Sequence, residues 1–299
     1  MRGRDPLAIL ISSTMGDTTS VLSHLHAPSL EDMGLGIKAY TLILSIIAAI
    51  VSTKKLIHLW HTRHLRRVWG IKNGDRVVVV CSELDDAVNR QQVEPREFIY
   101  SLKYGDVDAY LEVLVTLLRL YPKLRLKIMS SGEAESTRLD LASHIVVIGG
   151  PDYNAMAERI MRWDQTQFSY RSPDTDTKPE CEPEEIVLFD KAKKKEYCHK
   201  VDTHDYGYFE RIPNRHDPSK HIVLIGGCHT IGVAGAAKAF SMGDSEHGEI
   251  PKAVLDNASL VSKKVGKSKK FSVLFEIERL GQTIAVPLVE KANITVTES

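Results

Sequence analysis

Three short runs of β-branched residues constrain the fold of this chain more than any other feature. Residues 76–81 read RVVVVC, residues 144–150 read HIVVIGG and residues 221–227 read HIVLIGG. None alternates apolar with polar residues, so each predicts a strand covered on both faces, as in a parallel sheet. The last two are near copies, and each runs through two glycines into a helical segment, 155–163 after the first and 231–240 after the second. Residues 107–121 place Leu111, Leu114, Val115 and Leu118 at helical spacing and end at Pro122, and 124–129 is a further strand. Strands alternating with helices predict a Rossmann-like α/β fold, a mostly parallel sheet with antiparallel additions. The additions are strands at 167–171, 186–189 and 206–212, an edge hairpin over 191–204, and a terminal hairpin from 271–278 and 283–289, with Pro287 confining the last strand to an edge.

A second asymmetry lies near the N-terminus. Residues 39–53 (AYTLILSIIAAIVST) carry no charge, and the flanking apolar residues extend the run to the length of a membrane span. The expected organisation is an extracytoplasmic segment at 1–34, a transmembrane helix at 35–57, a basic juxtamembrane helix at 58–72 and a Rossmann-like domain at 73–299. Lys54, Lys55, Arg63, Arg66 and Arg67 follow the run without an acid among them, which puts the body in the cytoplasm as a single-pass inner-membrane protein. Unpaired Cys81, Cys181, Cys198 and Cys228 fit that compartment, and the triplets beginning at Asn257 and Asn293 are then chance glycosylation matches. His58, His61 and His64 drift around a helix and read as part of a basic interfacial helix rather than as a metal stripe.

Charge excludes some functions. Lys plus Arg and Asp plus Glu are both 39, so the chain is no uniformly basic nucleic-acid binder, and no sequence-specific nucleic-acid partner is expected. Lys263, Lys264, Lys267, Lys269 and Lys270 form one basic cluster, suited to anionic lipid, to a polyanion or to a solvated loop.

The paired glycine loops are the candidate site. Glycine permits a sharp turn and a close backbone approach, and a following helix offers free N–H groups and a positive dipole end. On neighbouring parallel strands both loops would sit at the carboxyl edge, where α/β sheets bind ligands. The expected ligand-binding residues are Gly149, Gly150, Asp152 and Asn154 from the first loop and Gly226, Gly227, His229, Thr230 and Gly232 from the second. A phosphate on 227–231 and a sugar or base on Asp152 and Asn154 make a small anionic, nucleotide-like ligand, with no other cofactor and no metal. The pattern is neither G-x-G-x-x-G nor a P-loop, and double glycines also serve tight packing. Cys228 at a helix start is a candidate nucleophile for a hydrolase or transferase, with His204, Asp205 and Asp140 as unlinked candidates for its base. The alternative is a packed cysteine. Cys181, Cys198, His199 and His204 match no zinc spacing.

One N-terminal span, an α/β body and the segment 226–237 (G-G-x-x-x-x-G, then a small-residue helix) resemble prokaryotic membrane-anchored sensors of the CARF and SLOG type. That resemblance implies a nucleotide signal, an antiviral role and assembly into a homo-oligomer. The charged ligand signatures of those families are not evident. The segments 149–154 and 226–232 also resemble uncharacterised actinobacterial proteins, which implies no activity. The reading is thus a membrane-anchored sensor or effector, against a hydrolase or transferase using Cys228 or the nearby acids Glu133, Glu135 and Asp140, and against a structural membrane-proximal scaffold.

Overall fold

The computed structural model describes residues 30–83, 104–136, 141–172, 187–199, 204–243, 249–280 and 283–297. Expectations for 1–29, for the acidic loop with Cys181, and for Asp140 lie outside these residues. The chain divides into two units, 1–58 and 59–299.

Helix α1 (Leu30–Trp69) runs through both units. In the first unit Tyr40, Leu42, Ile43, Leu44, Ile46, Ile47 and Ile50 are 47–64% exposed. At about 100° per residue these positions cover somewhat more than half of the circumference, and the remaining arc holds Thr41, Ser45, Ala48 and Ala49, which are also exposed. The hydroxyls of Ser45 and Thr53 donate to the carbonyls of Thr41 and Ala49, both at 2.8 Å, so the segment hides its own polar groups. The expected span at 35–57 is not borne out, since among the described residues no helix is long and apolar enough to cross a membrane.

In the second unit the end of α1 is a core element rather than an interfacial helix. Thr62, Leu65, Val68 and Trp69 are buried, and Trp69 Nε1 donates to the Phe240 carbonyl at 3.2 Å. His64 Nδ1 lies 2.5 Å from Ser262 Oγ. The main sheet contains β1 (Arg76–Cys81), β2 (Arg125–Ser130), β3 (His144–Ile148), β7 (His204–Pro213), β8 (His221–Gly227), β9 (Lys270–Leu280) and β10 (Thr283–Ile284) in the order β10-β9-β7-β8-β3-β1-β2, with β11 (Ile294–Thr297) also on β9. β2, β1, β3 and β8 are mutually parallel, whereas β7, β9, β10 and β11 pair antiparallel. The sheet is therefore parallel at one end only, which corrects the mostly parallel expectation. The link from β7 to β8 is too short for a crossover, so the two form a hairpin.

The end of α1, α2 (Tyr104–Leu120), α5 (Thr230–Lys238) and α6 (Lys252–Val265) cover one face of the sheet. On the other face lie α3 (Ser131–Ser136), α4 (Ala155–Met161) and a separate antiparallel sheet of β4 (Phe168–Arg171), β5 (Val187–Asp190) and β6 (Lys195–Tyr197). The buried stripe of α2 is Ala109, Val113, Leu117 and Leu120, while Leu111 and Leu118 of the expected stripe are each 51% exposed. Both stripes have helical spacing, and only the sheet decides between them. Helix α6 was not foreseen, and Lys263 and Lys264 of the basic cluster are its last turn. Lys264 Nζ donates to the carbonyls of Lys291 and Ile294, and Lys269 Nζ to that of Pro218. Asn257 is buried, bonded to the backbone of Ala239, Pro287 and Val289, and is no glycosylation acceptor.

Two buried charges on β7 tie the layers together. Arg211 donates to the carbonyls of Arg67 (2.5 Å) and Val68 (2.9 Å) at the end of α1, and to those of Ser268 (2.9 Å) and Lys269 (3.3 Å) before β9. Burial lowers its guanidinium to about 10. Gly70, at φ +67°, ends α1 there, and a Cβ would lie 2.8 Å from both Arg211 Nη1 and the His221 ring. On the opposite face Glu210 accepts from Gln167 N at 2.5 Å, tethering the start of β4. Burial pushes this carboxyl up to about 7.

Arg211→Met should destabilise the fold by about 2–3 kcal/mol, read as a lowered urea midpoint, because four carbonyls lose a charged donor. Glu210 makes stability pH-dependent. The unfolded chain releases this proton near 4.5 and the folded chain near 7, so the contribution is complete below 4.5 and lost as pH rises through 7. That window should cost the wild type roughly 3 kcal/mol more than Glu210→Gln in paired denaturation series.

Candidate functional site

The two glycine loops are neighbours, because β3 and β8 pair in parallel with Ile148 opposite Ile225. Gly149 N donates to the Ile225 carbonyl at 2.9 Å. Tyr170 of β4 bridges the loops: its hydroxyl donates to the Gly227 carbonyl at 2.9 Å, and its ring lies 3.5 Å from where a Cβ of Gly150 would be. Burial drives the Tyr170 phenol well above its usual range.

The order of strands adds a feature that spacing did not show. β1 is flanked by β2 on one side and β3 on the other, so the connections diverge between β1 and β3. Parallel sheets open a crevice at such a point, at the carboxyl ends of the strands. Here that edge carries Ser82, Glu83, Asp106, Gly149, Gly150 and Asp152. Ser82 Oγ donates to the Ile148 carbonyl at 3.0 Å, and Glu83 accepts from Gly132 N at 2.8 Å. Gly149 has φ +101°, and a Cβ there would strike the Ser82 hydroxyl and lie 3.1 Å from Asp106 Oδ2. Asp106, buried at the start of α2, and burial itself push the Cys81 thiol up to about 12.

Several expected ligand residues have internal work. Asn154 caps α4, accepting from Met156 N (3.1 Å) and Ala157 N (3.2 Å) and donating to the Ile148 carbonyl (2.9 Å). Gly226 makes room for the Tyr208 ring, which a Cβ would meet at 2.5 Å. Gly227 and Gly232 let α5 lie on the sheet backbone to backbone, since a Cβ on Gly227 would be 2.6 Å from the Gly232 carbonyl carbon. Thr230 opens α5, and His229 before it makes no side-chain cap. The cap comes from Asp205 on β7, whose Oδ2 accepts from Gly232 N (2.5 Å) and His229 N (3.2 Å). A buried carboxylate thus already holds the helix terminus read as a phosphate cradle. Spacing could not link residue 205 to a helix starting 25 positions later.

Cys228 is half-buried and is not in a disulfide. Its Sγ donates to the Tyr197 carbonyl at 3.2 Å. The fold brings two imidazoles to it, His229 and His199, with ring centroids 4.4 Å apart. His199 Nδ1 lies 3.8 Å from Asp205 Oδ1. Of the bases considered from the sequence, Asp205 is thus near this corner, whereas His204 sits on the β7–β9 pair beside Glu276 and Glu278. Cys198 is disulfide-bonded, so the cysteines are not all unpaired, and cysteine usage no longer argues for a reducing compartment. Among the described residues no group of His, Cys, Asp or Glu is arranged to hold a metal ion. At the amino edge the histidines that begin the two echoes meet. His144 Nε2 lies 3.1 Å from Asp75, and His144 Nδ1 accepts from His221 N. Burial, with Arg211 and His144 nearby, lowers His221 to about 3.

These features define a three-layer mixed α/β domain with paired glycine loops at the carboxyl edge of its parallel half. No protein-family model, curated protein or solved structure shows a significant match to the chain.

Asp205→Ala should lower stability by about 2 kcal/mol in urea unfolding, as two amide donors at the α5 terminus lose their acceptor. Tyr170→Phe should cost about 1 kcal/mol, since one hydrogen bond is lost and the ring remains.

Proposed function

We propose that the body is a Rossmann-like sensor domain that binds a small nucleotide-like ligand at the carboxyl edge, between the ends of β1 and β3. The observation that carries this reading is the divergence of the chain on either side of β1, with the left-handed Gly149 turn beside it. Gly150 and Asp152 are the first-loop residues assigned to the ligand, with Asp152 suited by its chemistry to sugar hydroxyls. Asp205 repels a phosphate from the start of α5, so His229 and Thr230 take the second wall of the site, not the phosphate cradle.

The apolar segment of α1 supports a membrane-associated protein. A helix exposed on all sides, with large apolar side chains over more than half of its circumference and only small residues over the rest, is suited to acyl chains without a partner. A ligand signal would pass along α1 from the body, whose core holds its last turns.

Thermal shift of the full chain against mononucleotides, cyclic nucleotides and dinucleotides tests the ligand. One class should raise Tm, by about 5–10 °C at a hundredfold excess over Kd for a domain of this size. Gly150→Val should abolish that shift while leaving the unliganded Tm within a few degrees. No stabilisation by any nucleotide would sink the reading. In flotation with vesicles containing anionic lipid, Ile43→Asp/Ile47→Asp should lower the bound fraction at least tenfold, each charge costing about 2.5–3.5 kcal/mol in an apolar medium.

A further inference from the structure

We infer that the amino edge of the main sheet is a docking surface for anionic lipid headgroups. The pairing register lines up the strand ends there. Arg76 of β1 lies opposite Arg125 of β2, Val77 opposite His144 at the start of β3, Ile145 opposite Ile222 of β8, and Pro213 of β7 opposite His221. β9 pairs antiparallel with β7, with Arg211 opposite Phe271, so the turn into β9 lies at the same edge. Side chains tie these connections into one surface. Lys220 Nζ lies 3.3 Å from Asp75, Lys269 Nζ donates to the Pro218 carbonyl at 3.0 Å, and Lys123 N donates to Asn73 Oδ1 at 2.8 Å. The last turns of α1 belong to this edge, because they touch the ends of α2 and α6. The Tyr121 hydroxyl donates to the Arg66 carbonyl at 3.3 Å, and His64 meets Ser262.

Charge along this edge is of one sign. The segments 63–76, 119–125, 213–221 and 263–270 contain fifteen Lys and Arg against two acids, Asp75 and Asp217, in a chain whose net charge is zero. Asp75 is already engaged by Lys220 and His144. Arg63, Arg67, Lys72, Lys263, Lys267 and Lys269 are exposed. Their field is felt within the cluster: burial first, then Arg63, Arg67 and Lys263, hold the His64 imidazole below its usual range. A lipid surface fits this edge better than a nucleic-acid groove does, because α1 enters it through an exposed apolar pair. Leu59 and Trp60 are 39% and 59% exposed, and the Arg63 guanidinium lies 4.8 Å from the Trp60 ring. An exposed tryptophan beside cations suits the headgroup layer, and Lys and Arg stems reach lipid phosphates from it. The inference rests on the membrane association proposed for α1 and adds the face of the body that meets the bilayer. The carboxyl edge, with its glycine loops, then faces away from the lipid and stays open to a ligand from water.

Flotation of the full chain with two sets of vesicles tests it, phosphatidylcholine alone and phosphatidylcholine mixed with phosphatidylserine. The wild type should partition more strongly into the mixed vesicles, and the excess should fall as salt rises. Lys72→Gln, Lys263→Gln and Lys267→Gln should each weaken partition into mixed vesicles about fivefold, and together about a hundredfold, with partition into phosphatidylcholine alone unchanged. Lys252→Gln, at the other end of α6, should change neither. All four positions are exposed, so the urea midpoint should not move. Equal partition of the wild type into both vesicles, no partition into either, or an equal loss in Lys252→Gln would overturn the inference. So would retention of a DNA duplex that the triple variant loses while its vesicle binding persists, which would assign the edge to nucleic acid. The role of the apolar helix is scored separately, by the loss of Ile43→Asp/Ile47→Asp from phosphatidylcholine vesicles. That loss without any effect of phosphatidylserine removes the docking edge and leaves the membrane association standing.

Discussion

The contact on which the body depends is the backbone-to-backbone approach of α5 to the strands beneath it. Gly207 on β7, Gly227 at the end of β8 and Gly232 on α5 meet with no side chain between them, and Gly235 lies on Ile277 of β9. A single methyl group at Gly227 or Gly232 would collide with main-chain atoms, which cannot rotate away. Because the helix sits this low, its first amides come within reach of a carboxylate on β7. The small residues and the buried acid are therefore parts of one arrangement.

That arrangement makes β7 the strand that locates its neighbours. Asp205 fixes the start of α5, Glu210 fixes β4, and Arg211 fixes the end of α1 and the turn before β9. Each charge bonds main-chain groups of a different element, and alternation along the strand sends Glu210 to one face and Asp205 and Arg211 to the other. A buried charge costs a great deal unless its hydrogen bonds are supplied, and backbone amides and carbonyls at element ends are the groups that need partners. β7 thus satisfies chain ends that local capping leaves open, as at His229. Glu210 shows the limit of this scheme, since burial pushes its carboxyl up to about 7 despite its backbone partner.

The candidate site inherits these constraints. Its glycines are shared between close packing and access, and Asp205 makes the α5 terminus less receptive to a phosphate than its sequence implies. The carboxyl edge at β1 and β3 has less internal work to do, with Ser82 filling the hollow that Gly149 leaves. Cys228 sits where the two regions meet, under Tyr170 and against the end of β6.

Local patterns were legible where one physical cause dominated. The runs at 76–81, 144–148 and 221–227 are strands as read, because unbroken β-branched residues suit only a covered sheet. The stripe of α2 was misread, because two faces of that helix are apolar and only the sheet chooses between them. Helix α6 was hidden behind its lysines, whose stems lie on the surface while Val254, Ala258 and Val261 face the core. The apolar run at 39–53 was legible as an exposed apolar helix, and its reach across a bilayer was not. Asp205 was legible only as a candidate base, and nothing in the spacing of Asp205, Glu210 and Arg211 names the amides and carbonyls they serve. The sequence by itself determined the strands, the glycine turns and the apolar helix, because these follow from neighbours within a few residues. Only the tertiary structure decided that the glycines serve packing, that an aspartate occupies the α5 terminus and that two Cys-His dipeptides meet, because each depends on residues that lie far apart along the chain.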